Sequence, residues 1–203
     1  MVLTGRYQIL LLEVIAVTEN EWTSSIANKL APVIIPLRIS TLQKVPYLRE
    51  IEAYAPDWTP VDREPESFET DMVVYEESSG VIIPRVIIES KLGTITTHDA
   101  ITYSHKVEMH KAVTPFLRYG VMLGNRTTYP IPGRLYRHGT NFDFMFSFVG
   151  MEPQNYEWAS FVELVRREVT YSRQLEEMLH ESRKTDRKRY YMLEKQLVLE
   201  EFP

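Results

Sequence analysis

Apolar positions along this 203-residue chain change period several times, and each change marks an element. Leu11, Ile15, Trp22 and Ile26 recur at helical spacing, which predicts a helix over residues 6–30. Residues 31–69 are interrupted by Pro32, Pro36, Pro46, Pro56, Pro60 and Pro65 and predict loop around one short helix at 42–54. Met72-Val73-Val74-Tyr75 is strand-like, Glu76 to Gly80 is a polar turn, and Val81 to Ile88 is apolar again, so an antiparallel hairpin is expected. Thr96-Thr97-His98-Asp99 collects helix-starting residues ahead of a helix over 99–112, which Pro115 stops. Residues 116–123 and 142–149 are apolar at nearly every position, the pattern of strands covered on both faces. From 155 to 201 helix formers dominate. Trp158, Phe161, Val162, Val165 and Val169 make a stripe there, which predicts one long or two consecutive helices projecting from the core, with a break near 182–185. The fold class expected is α/β, a central mixed sheet flanked by helices, with residues 1–150 as core. Residues 151–203 form a helical extension, packed on the core or mediating dimerisation.

Within the hairpin, the turn brings Asp71 opposite or nearly opposite Glu89, and a bulge at Pro84 would shift that pairing by one. Two carboxylates that close repel unless a cation lies between them, and hard oxygen ligands suit Mg²⁺ or Mn²⁺. Lys91, two residues after Glu89 and on the same face, would stand beside that ion.

In Glu69-Thr70-Asp71-Met72 and Glu89-Ser90-Lys91, with the helix and strand that follow, the chain resembles the PD-(D/E)XK, or restriction-endonuclease-like, nuclease superfamily over roughly residues 5–150. Thr70 replaces the proline that precedes the aspartate in that pattern. The resemblance implies a restriction-endonuclease-like core that hydrolyses nucleic-acid phosphodiesters with Mg²⁺, or Mn²⁺ as substitute, in the manner of a type II restriction endonuclease. It implies Asp71 and Glu89 as metal ligands and Lys91 as the residue that orients or helps deprotonate water. It also suggests an acid from the first helix as a third ligand. Glu13, alone among charges in the apolar run Ile9 to Val17, is the candidate.

Charge and composition refine the partner. Net charge is −5, but residues 1–77 carry 13 acids and 6 bases, whereas 78–203 carry 15 acids and 17 bases. DNA is therefore an admissible partner. Arg134, Arg137 and His138, in a Pro/Gly-punctuated loop, are candidate DNA contacts, and Lys106 and Lys111 could meet backbone phosphate. The basic run Arg183 to Arg189 is bracketed by acids and reads as a solvated helix. A homodimer through the tail would supply two active centres for a two-strand cut. No GxxxxGK[ST] pattern occurs, so no nucleotide cofactor is expected. The lack of cysteine, of an eighteen-residue apolar run and of a leader pattern points to a cytoplasmic protein with no membrane contact. The alternative function is a non-catalytic nuclease-fold module that assembles through its C-terminal helices.

Overall fold

The computed structural model describes residues 17–126, 131–193 and 198–200. The first helix, α1, spans Glu19–Leu30. Thr18 caps it reciprocally with Glu21: the Glu21 N–H donates to the Thr18 hydroxyl at 3.3 Å, and the Thr18 N–H donates to the Glu21 carboxylate at 2.8 Å. Thr18 is extended, so α1 begins at Glu19 and no helix runs through Thr18, while residues 6–16 of the expected helix lie outside the described residues.

The region expected to hold a helix at 42–54 forms strands instead: β1 (Arg38–Leu48) and β2 (Ile51–Tyr54). The partner decides this. β1 pairs antiparallel with β4 (Glu66–Ser78) over almost its whole length, and as an edge strand it tolerates Pro46 where the register slips. β2 and β3 (Pro60–Asp62) form a separate, exposed two-stranded ribbon.

β5 (Val81–Leu92) is the hairpin partner of β4. A bulge falls at Arg85, next to Pro84, on the turn side of the ladder. On the other side the register is unbroken through Val74↔Val86, Val73↔Ile87 and Met72↔Ile88, so continuing it by one step sets Asp71 against Glu89. Helix α2 (Thr97–Val113), capped by Thr96 and Asp99, then crosses over to β6 (Arg118–Gly124), which pairs parallel with β5. The short helix α3 (Gly133–His138) leads to β7 (Phe144–Ser147), parallel to β6. The result is one mixed five-stranded sheet in the order β1-β4-β5-β6-β7.

Strand alternation sends Met72, Val74, Val86, Ile88 and Met122 to one face, where they meet Trp22 and Ile26 of α1. Phe161, Val165 and Val169 of α4 (Asn155–Glu181) fill the same cluster. α4 therefore lies against β5 and β6 instead of projecting, because its apolar stripe has a sheet face to cover. Val73, Ile87 and Tyr119 face the other way, onto Val107 of α2. No helix among the described residues is long and apolar enough to cross a membrane.

Candidate functional site

Asp71 and Glu89 share the alternation phase of Val73 and Ile87 and belong to the α2 side of the sheet. Asp71 is anchored through one oxygen. Its Oδ2 accepts the Ser90 N–H at 2.6 Å and the Ser90 hydroxyl at 3.1 Å. The Ser90 hydroxyl also lies 2.6 Å from that of Thr23, so α1 reaches Asp71 through the residue between Glu89 and Lys91.

Glu89 is 1 % exposed. Its Oε1 accepts the Tyr119 phenol at 2.6 Å and the Lys106 ammonium at 3.3 Å. Burial pushes the carboxyl from its ordinary 4.5 up to about 7; Lys106 opposes that rise and the neighbouring Asp71 charge adds to it. Oδ1 of Asp71 and Oε2 of Glu89 take part in none of these bonds.

Lys91 leaves β5 beside the start of α1, with its Nζ 3.6 Å from Glu19 Oε2. The same Glu19 oxygen accepts the Leu92 N–H at 2.9 Å. Tyr103 of α2 records how many acids converge here. Burial first, then repulsion from Glu89, Asp71, Glu19 and Asp99, holds its phenol well above the ordinary range.

Glu13, the expected third acid, lies outside the described residues. The acid that α1 does bring to the strand end is Glu19. The pattern Thr18-x-x-Glu21 would have located it, since a capping box fixes where a helix begins and which acids crowd its first turn. Tyr119 and Lys106 carried no such signal as partners of Glu89.

The expected DNA contacts separate into two groups. Lys106 is 19 % exposed on its side chain, bonded to Glu89 and to the Glu69 carbonyl at 3.2 Å. Lys111 pairs with Asp143 at 2.7 Å and donates to the Asn141 carbonyl at 3.1 Å. Both point inward. Arg134, Arg137 and His138 sit on α3 instead of in the expected loop; Arg134 donates to the Ile95 carbonyl at 2.9 Å, while Arg137 is exposed and His138 half-buried.

Among the described residues no group of three or more His, Cys, Asp or Glu side chains is arranged to hold a metal. Two hard carboxylate oxygens are nevertheless the donor set that Mg²⁺ accepts, since it keeps several waters and takes one or two protein carboxylates in place of an all-protein cage. Asp71 and Glu89 fit that requirement. No protein-family model matches the chain, and no curated protein matches it.

Proposed function

We propose that this protein is a Mg²⁺-dependent endonuclease of the PD-(D/E)XK type that hydrolyses DNA phosphodiester bonds. The observation that carries the reading is that Asp71 and Glu89 stand opposite each other one step beyond the regular pairs Val74↔Val86 to Met72↔Ile88, with Lys91 at the adjoining strand end. Support also comes from the element order: helix, antiparallel strands carrying the two acids, crossover helix, then two parallel strands. This is the order on which the resemblance rests.

Asp71 would offer Oδ1 and Glu89 Oε2 as ligands, each acid being fixed through its other oxygen. A divalent ion bound there makes a coordinated water more acidic and neutralises charge on the phosphoryl oxygens. Ser90 and Thr23 hold Asp71 in place, and Tyr119 and Lys106 hold Glu89. Lys91, steadied by Glu19, orients the attacking water and adds positive charge where the transition state gathers negative charge. Arg137 and His138 of α3 are the DNA contacts left for the phosphate backbone, and a homodimer would cut both strands.

The test is digestion of supercoiled plasmid and several genomic DNAs with Mg²⁺, Mn²⁺ or EDTA, with an RNA arm alongside. Cleavage is expected only with metal, and Asp71→Asn or Lys91→Met should each slow it roughly 100-fold or more. Intact DNA under both metals would reject the enzyme and leave the assembly module.

A further inference from the structure

The oxygens of Asp71 and Glu89 are unequally committed. Asp71 Oδ2 is taken by the Ser90 N–H and hydroxyl, and Glu89 Oε1 by the Tyr119 phenol and the Lys106 ammonium. Each acid is left with one oxygen. A two-ion phosphodiesterase centre needs carboxylate oxygens for two cations about 3.5–4 Å apart, commonly from an acid that bridges them. Glu89 cannot bridge while Oε1 accepts from both donors, which use its two lone pairs.

One of those two donors is an ammonium. Lys106 Nζ is held by two oxygens, Glu89 Oε1 at 3.3 Å and the Glu69 carbonyl at 3.2 Å. It also lies over two aromatic rings, 5.7 Å from the centre of Phe68 and 5.5 Å from that of Tyr103. A long side chain so enclosed is fixed in position beside the carboxylate.

On the metal reading above, we infer that Lys106 takes the place of a second divalent ion, so that the Asp71–Glu89 centre binds one ion and uses the ammonium as its other positive charge. Lys106 is then a positioning residue: it orients Glu89 so that Oε2 faces the ion. It comes from α2, a different element from β5, which carries Lys91.

The experiment uses the full chain and Mn²⁺ alone, with stoichiometry read by calorimetry and the bound ion by electron paramagnetic resonance. The wild type should bind one Mn²⁺ per chain with the spectrum of an isolated ion. Lys106→Met, which frees Oε1 of its ammonium and removes a charge, should bind two and show the broadened spectrum of a coupled pair. Lys106→Arg, which keeps the charge, should remain at one. Lys106→Gln serves the same comparison as Lys106→Met if the latter does not fold. A wild type that binds two ions overturns the inference, as does a folded Met or Gln variant that binds one ion with wild-type affinity. A wild type that binds none overturns the metal reading as well.

Discussion

At Glu89 the cost of burying a charge and the use of that charge meet in one side chain. Its carboxyl is pushed up to about 7 in the folded protein against 4.5 ordinarily, because burial outweighs the lowering by the Lys106 charge and Asp71 adds a smaller repulsion. Between those two values the folded state holds a proton that the unfolded chain has already released. The contribution of Glu89 to stability is therefore greatest below about 4.5, falls as pH rises toward about 7, and levels off above it. The span corresponds to about 3 kcal/mol. Glu89→Gln removes the ionisation and keeps a neutral acceptor for Tyr119. In urea unfolding series, wild-type stability should fall relative to this variant by up to about 3 kcal/mol across that window, with no further divergence above pH 8. Parallel curves would contradict the account. On the proposed Mg²⁺ binding, added Mg²⁺ should raise stability most above pH 7, where the carboxylate is already ionised. Among single residues, the opposition of Asp71 and Glu89 was legible in sequence because a hairpin register is local. Tyr119 and Lys106 were not, since a parallel crossover brings them in and no short-range pattern encodes that contact.

At the scale of elements, the start of α1 is what ties helix to strand end. The Trp22 indole N–H donates to the Met151 carbonyl at 2.8 Å, and its ring lies flat enough on β6 that a Cβ at Gly124 would fall inside van der Waals contact. Glycine is required there by close approach. Gly124→Ala should push Trp22 and the α1 terminus away from β5, loosening the Glu19 and Thr23 contacts to Leu92 and Ser90. A loss of about 1–3 kcal/mol in chemical denaturation, with a change in tryptophan emission, is the expected outcome. Unchanged stability would mean that α1 is not seated through this contact. The strands with continuous apolar runs were readable, and so was α2, whose Thr96 and Asp99 cap is written in four residues. β1 was not. Its residues alternate weakly, and its strand state comes from β4, which lies more than twenty residues onward for most pairs. The α1 start shows the opposite case: apolar periodicity runs on through Thr18, but the local capping pattern Thr18-x-x-Glu21 sets where the helix begins.

At the scale of the molecule, the sheet separates the main apolar packing from the candidate site. The α1 and α4 face carries the largest apolar cluster, while the acids and Lys106 gather on the α2 side and at the β5 terminus. α4 is also bound by charge: buried Arg85, turned out by the bulge beside Pro84, pairs with Glu176 of α4 and Glu76 of β4, each at 2.6 Å. Arg118 of β6 pairs with Glu168 at 2.6 Å. An extension that merely followed the core would unfold on its own, whereas a helix supplying core residues would unfold with the sheet. Phe161 distinguishes the two. Its side chain is fully buried, and its ring centre lies 5.1 Å from that of Phe146 and 5.3 Å from that of Phe148. Phe161→Ala leaves a cavity against both, worth about 3–5 kcal/mol. We expect one cooperative transition in calorimetry and in urea for wild type and variant alike, displaced by that amount, with near-ultraviolet dichroism and far-ultraviolet helix signal lost together. Two separate transitions, or a displacement below about 1 kcal/mol, would make α4 an appendage and leave the α1 face of the sheet to be covered by something else.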